Sequence, residues 1–137
     1  MSAAQKQAWF NLVVVLVCVV AVMALVPILG FPRAQGGFGI LGLLGFGPLF
    51  YWRRAGKVVS DERDAVILAR SWVIAYSVFW LVFVAACVAA PWSFGSSGAV
   101  PVVLVQCSVW CGLIIVVGVG ALATLIQYGW GGTHASE

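Results

Sequence analysis

Four long apolar stretches separated by short polar breaks organise the chain, at residues 9–29, 36–52, 71–90 and about 101–128. None alternates apolar with polar positions. Only helices and closed barrels satisfy backbone hydrogen bonds in lipid, so each stretch reads as a helix. Crossing the hydrocarbon core takes about 20 residues, with a range of about 17–25. The first and third stretches fit this length, the second sits at its short end, and the fourth is long enough to tilt or project. The pattern predicts an all-α fold. It is a four-transmembrane-helix antiparallel bundle, one membrane domain over residues 1–137, with residues 53–70 as its only sizeable loop. Links of a few residues make neighbouring spans antiparallel.

The breaks carry their own signals. Residues 1–8 read as a polar lead forming an interfacial turn. The first apolar stretch exceeds the roughly 7–15 residues of a signal-peptide core and no small-x-small site follows it, so it is expected to stay as a span. Pro27 removes a helical N–H and is expected to bend the end of span one. Gly30, Pro32, Gly36 and Gly37 read as an outer turn, and Pro91 and Trp92 as the end of span three before the turn SFGSSG. Pro101 suits the first turn of span four.

Within the spans, small residues mark candidate packing positions. In span two, Gly36, Gly39, Gly42 and Gly45 recur every third residue. At about 100° per residue such a row drifts around an α-helix, so it does not form a GxxxG seam. It is read as close packing among neighbours or as a deformable helix beside a path. Span three carries a small-residue face of Ser71, Ala75, Val78, Val82, Ala85 and Ala89 beside an aromatic face of Trp72, Tyr76, Phe79 and Phe83. Span four adds Ser108, Cys111, Gly118 and Ala121. Gly39, Gly42, Gly45, Ala75, Ala85, Cys111 and Gly118 are the candidate helix-packing residues. They are in excess of what one partner helix needs, which points to a homo-oligomer or a subunit of a membrane complex.

Composition sharpens the class. Of 137 residues, 64 % are apolar and 8 % charged, against about a quarter charged in soluble domains. The net charge of +3 is small, and no basic stretch is free of apolar neighbours, so nucleic acid is not an expected partner; the lipid bilayer is. Five of the seven basic residues, Arg53, Arg54, Lys57, Arg63 and Arg70, flank or fill the middle loop, and Lys6 precedes span one. Cytoplasmic loops collect Lys and Arg, so both termini and the loop are expected inside. Trp9, Trp52, Trp72, Trp92 and Trp130 fall at span ends, where indoles meet headgroups.

The loop reads RRAGKVVSDERDAVILAR. Asp61 followed by Asp64 is a capping-box variant, so span three is expected to start as a helix near Glu62 and enter the membrane around Arg70. The string Asp61-Glu62-Arg63-Asp64, with Ile67, Ala69-Arg70, Tyr76 and Trp80, resembles the DERD-x-x-I pattern of uncharacterised prokaryotic four-helix membrane proteins, the DUF2178-like family. The four-span layout covers most of the chain; the motif covers one loop. The resemblance implies a multi-pass protein of the bacterial or archaeal cytoplasmic membrane and, through relatives that accompany helix-turn-helix regulators, a regulatory role. It implies no activity. Arg53, Arg54, Lys57, Asp61, Glu62, Arg63, Asp64 and Arg70 form the candidate partner-docking loop. The bland alternative is a helix cap flanked by positive-inside anchors. The three carboxylates suit ion pairs with their basic neighbours better than a hard cation.

Several chemistries lack their residues. His134 is the only histidine, so a bis-His haem is not expected. Cys18, Cys87, Cys107 and Cys111 lie inside spans without a CxxC, unlike the exposed pairs of four-helix thiol oxidases. No carboxylate falls inside a span, where proton-coupled exporters, including the small multidrug class, carry one. Fluoride channels insert in both orientations, which the charge bias opposes. No catalytic residue, cofactor or metal site is expected. The expectation is a non-enzymatic scaffold or regulatory subunit acting through the DERD loop; the alternative is a small oligomeric channel or transporter lined by the glycine-rich span.

Overall fold

A computed structural model describes residues 2–47, 62–95 and 98–130. Those residues form α1 (Ala3–Leu29), a single turn α2 (Phe31–Ala34), a 3-10 helix η1 (Gln35–Phe46), α3 (Glu62–Phe94) and α4 (Val102–Trp130). The fold is all-α, and α1, α3 and α4 are long and apolar enough to cross a membrane. Their surfaces fit that setting: Met23, Leu81 and Val102 are 70 %, 72 % and 81 % exposed, an arrangement that water would penalise. The fourth apolar helix, η1, has 12 residues and falls short of that length criterion.

The first correction to the sequence reading lies at the start of the chain. The polar lead is helical from Ala3. Ser2 and Gln5 form a capping box: the Ser2 hydroxyl accepts from the Gln5 N–H at 3.2 Å, and the Gln5 Oε1 accepts from the Ser2 N–H at 3.0 Å. Each side chain thus satisfies an N–H that the helix leaves open. α1 runs past Pro27 to Leu29, where Gly30 turns the chain at φ 77° and donates to the Val26 carbonyl at 3.0 Å. α3 begins at Glu62, but it passes through Pro91 and closes at Gly95, φ 73°, whose N–H reaches the Pro91 carbonyl at 2.8 Å. A proline near a helix C-terminus forfeits only its own N–H bond, so it does not have to end the helix.

The second correction concerns span two. α2 passes into η1 without a break: Ala34 has φ −63°, ψ −20° and Gln35 φ −59°, ψ −22°, the shallow ψ of a 3-10 helix. With 3.0 residues per turn, positions i and i+3 eclipse. The glycine row that would drift around an α-helix is therefore a straight stripe. The segment is written in triplets, GGF-GIL-GLL-GFG over residues 36–47. Its first positions are the exposed glycines 36, 39, 42 and 45, and its third positions are Phe38, Leu41, Leu44 and Gly47, all buried or half-buried. One stripe faces the protein and another faces away.

That inward stripe builds the core. Phe38 and Leu41 pack with Val15 and Cys18 of α1, and Trp110, Ile114 and Val117 of α4 close over them. Phe38 stacks on Trp110 with centroids 5.6 Å apart and planes 10° from parallel. At Gly37 η1 comes close to α1: a Cβ there would lie 2.9 Å from Val22 Cγ2, and a β-branched valine has little freedom to yield.

The contacts fix direction and order. Ser71 meets Gln127, Ala75 meets Gly120 and Phe79 lies over Gly112, so α3 and α4 run antiparallel. Gly37 opposite Val22 and Gly47 opposite Gln7 run η1 antiparallel to α1, and Val15 lies against Gly118 of α4. Packing follows the order η1–α1–α4–α3; among the described residues η1 and α3 make no extended contact. The expected four-transmembrane-helix antiparallel bundle is, among the described residues, an open arrangement, with α3 joined to the rest mainly through α4. Small residues decide this, because Ala75 and Gly120 let α3 and α4 approach where larger side chains would hold them apart.

Candidate functional site

The open arrangement leaves a crevice between α1 and α3, floored by α4, with a volume of about 210 Å³. It lies at the end of the protein that holds the N-termini of α1 and α3 and the C-terminus of α4. From α1 come Ala4, Gln7, Ala8 and Asn11. Their spacing of three and four residues places them on one helix face. Ser71 and Trp72 come from α3, and Thr124, Gly120 and the deeper Val116 and Val117 from α4. None of the lining side chains is titratable.

The hydroxyls of the crevice are largely committed. Ser71 is 1 % exposed and donates to the Ile67 carbonyl at 2.9 Å, while its oxygen accepts from Gln127 Nε2 at 3.0 Å. Gln127 also donates to the Ala123 carbonyl at 3.2 Å. Thr124, 3 % exposed, donates to the Gly120 carbonyl at 2.8 Å, which leaves its oxygen able to accept. These bonds to carbonyls four residues back are the usual way a helix absorbs Ser and Thr in an apolar setting. The carboxamides of Gln7 and Asn11 differ. Both are half-buried, and neither hydrogen-bonds to another described residue. The crevice therefore offers two amides and a hydroxyl acceptor at one end and aliphatic walls at the other. That equips it to hold an uncharged polar group; no nucleophile paired with a base lines it.

Beside the crevice, α3 is tied to α4. The Tyr128 hydroxyl donates to Asp64 Oδ1, about two turns of α3 before the Ser71–Gln127 bond. Of the predicted docking loop, Arg53, Arg54, Lys57 and Asp61 lie outside the described residues. Glu62 and Arg63 are exposed on the first turn of α3. Asp64 is half-buried against Tyr128. Arg70 is exposed and forms no ion pair with a described residue.

The candidate packing residues divide. Ala75 is fully buried against Gly120, and Gly118 lies against Val15, where a Cβ would sit 3.6 Å from Cγ1. Ala85 and Cys111 are exposed. Gly39, Gly42 and Gly45 have no neighbour within 4 Å of where a Cβ would stand. Among the described residues these five are not buried between helices of one chain, which leaves their faces open to the second copy that the sequence reading expects. The small-residue face of α3 meets α4 only at Ser71, Ala75 and Val78; its continuation, Val82, Ala85 and Ala89, is exposed. Beyond Gly112 and Phe79 the two helices part, which a face assigned by period alone does not reveal.

Sequence reasoning assigned no role to Asn11 or Thr124, two of the few polar residues within the spans, and it passed over Gln7 altogether. The signal for Gln7 was the Ser2-x-x-Gln5 cap, which makes residues 3–8 helical and sets Gln7 one turn before Asn11. Ser77, Gln106 and Ser108, also polar and within the spans, are exposed elsewhere. Among the described residues no three His, Cys, Asp or Glu side chains gather as a metal site. No protein-family model, curated protein or solved structure matches the chain.

Proposed function

We propose that this chain is a non-enzymatic scaffold or regulatory subunit of a bacterial or archaeal cytoplasmic membrane. It crosses four times with both termini inside and engages its partner through the charged first turn of α3. The observation that carries this reading is the anchored, charged edge there. Glu62 and Arg63 are exposed, while the next residue, Asp64, is held by Tyr128. A charged turn that is both ordered and outward-facing presents a docking surface at little entropic penalty. The resemblance of residues 61–67 to the DUF2178-like pattern belongs to the same reading.

A fourth crossing is supported by the geometry of η1. At about 2.0 Å per residue its 12 residues reach about 24 Å, and α2 adds about 6 Å at 1.5 Å per residue, together near the 30 Å hydrocarbon core. A 3-10 helix thus spans with fewer residues than an α-helix needs. The labelling prediction follows: cysteines introduced at Ser60 and Thr133 react only from the cytoplasmic side of intact cells and spheroplasts, and one at Ser96 only from outside. Reaction of all three from one side would refute the topology.

Partner docking has its own test. The full chain isolated in mild detergent is expected to carry a second protein in fixed ratio by native mass spectrometry. The double exchange Glu62→Lys with Arg63→Glu should release it while leaving the thermal midpoint unchanged. Recovery of the chain alone, or a complex indifferent to the exchange, counts against docking through α3.

A second reading, a small oligomeric channel or transporter, is favoured by one observation: the exposed glycine stripe of η1. A bare backbone face can line a path or meet another copy closely.

A further inference from the structure

We propose that the crevice between α1, α3 and α4 is a binding site for an amphipathic molecule with an uncharged, hydrogen-bonding head. The carboxamides of Gln7 and Asn11 and the oxygen of Thr124 receive the head, and the apolar tail leaves past Trp72 into the lipid.

Three observations converge. The crevice is bounded by three helices and has a volume of about 210 Å³, room for a head group and the start of a chain but not for a whole lipid. Its polarity is graded along the helix axes. Gln7, Asn11, Ser71 and Thr124 lie toward the end with the α1 and α3 N-termini, and Val116 and Val117 lie deeper. The register of Ser71 with Gln127 and of Val15 with Gly118 puts the polar groups at one level and the valines above them. Finally, the Gln7 and Asn11 carboxamides on its lining have no hydrogen-bond partner among the described residues, the Gln7 amide nitrogen standing close to Gly47. In an apolar setting such groups are costly unless something hydrogen-bonds them. Ser71 and Gln127 are satisfied within the protein, so the unpaired capacity is confined to the α1 wall and the acceptor oxygen of Thr124.

The same arrangement sets the ligand's chemistry. The lining has no titratable side chain, so a phosphate or carboxylate would enter without a countercharge, which disfavours charged heads. An amide both donates and accepts, so hydroxyl, ester and ketone heads all match. Trp72 is half-exposed at the rim and stacks on Tyr76 at 5.8 Å, giving the first carbons of the tail an aromatic wall at interfacial depth. Two sources supply this chemistry: a neutral membrane glyceride, with hydroxyl and ester groups, and a prenylated quinone, with ring carbonyls. The site is independent of the docking edge at Glu62 and Arg63, and exchange of those two residues should leave it intact.

The test uses the full chain in phosphatidylcholine nanodiscs with three photoreactive probes: a diazirine-tailed diacylglycerol, a diazirine-tailed benzoquinone and a diazirine-tailed phosphatidylcholine. Saturable labelling of peptides spanning residues 4–11 and 116–124 by a neutral probe, above the phosphatidylcholine probe and competed by its unlabelled form, is expected. Which neutral probe wins identifies the source. Gln7→Met and Asn11→Leu together remove the amides at nearly constant volume. They should weaken labelling about tenfold, since one or two net hydrogen bonds are lost. They should also leave the ligand-free thermal midpoint equal or higher, because unpaired polar groups are removed. Thr124→Val provides a second, separately folding variant with the same expected direction. Labelling spread evenly over the lipid-facing surface, equal labelling by phosphatidylcholine, or full labelling of the Gln7→Met, Asn11→Leu chain would each overturn the proposal.

Discussion

Ala75→Leu is expected to lower the thermal midpoint of the detergent-solubilised protein by several degrees and to break the Ser71–Gln127 bond. Ala75 is fully buried, and a Cβ on Gly120 would already stand 3.6 Å from its methyl group. Three further carbons have no space there unless α3 and α4 separate. Overpacking of this kind costs about 1–3 kcal/mol. In lipid the penalty is not offset elsewhere, because van der Waals fit between small residues, and not expulsion of water, drives helices together. Two controls isolate the cause. Gly120→Ala places a methyl at ordinary contact distance and should be tolerated. Ala85→Leu, on the exposed continuation of the same face, should leave the stability of a single chain unchanged. Differential scanning fluorimetry of the three variants decides the matter; equal midpoints for Ala75→Leu and Ala85→Leu would show that the α3–α4 seam is not where these contacts put it.

Replacing Gly36, Gly39, Gly42 and Gly45 together by Ala is expected to convert η1 from a 3-10 to an α-helix. None of the four positions has a neighbour within 4 Å of the added methyl, and none has a positive φ, so the substitutions fit sterically. What changes is the local preference. Alanine favours the α-helix over glycine by about 1 kcal/mol per residue, about 4 kcal/mol for the four. Methyl groups at i and i+3 also eclipse in a 3-10 helix, where glycines meet without clash. An α-helical segment would rotate Leu41 and Leu44 away from the line of Phe38 and shorten the segment by about 6 Å at the two rises per residue. In aligned bilayers the ¹⁵N–¹H dipolar couplings of residues 35–46 should oscillate with a period of 3.0 in the native chain and 3.6 in the variant. A native period of 3.6, or a variant that keeps 3.0, would contradict the triplet account of this segment. Gly37→Ala belongs to a different class, since its methyl would press on Val22 at 2.9 Å and act on packing alone.

That triplet shows how legibility depends on the assumed period. The glycines at 36, 39, 42 and 45 were plain in the sequence, yet at 100° per residue they form no face. At three residues per turn the same letters give a bare stripe opposite an apolar one. The choice between the two periods is small in local energy, and the fit of Phe38 and Leu41 against Val15, Cys18 and Trp110 helps to decide it.

By itself the sequence determined that the chain is helical and that three of its helices suit a bilayer. Both properties are local, because backbone hydrogen bonding in lipid must be satisfied within each segment and its length is set by consecutive apolar residues. It also held the cap at Ser2 and Gln5, where each side chain bonds to backbone only three residues away, and the start of α3 near Glu62. Which faces meet was decided by the tertiary structure. Ser71, Ala75, Ala85 and Ala89 look alike as a small-residue face, but only the first two find α4, because Gly120 stands opposite Ala75 whereas the helices part beyond Gly112. The crevice is of the same kind. Gln7, Asn11, Ser71 and Thr124 come from three helices far apart in the chain, and no spacing between them in sequence encodes their meeting. Steric fit at Val15–Gly118 and Ala75–Gly120 sets the registers that bring them to one level, and the gap those contacts leave between α1 and α3 is the space they line.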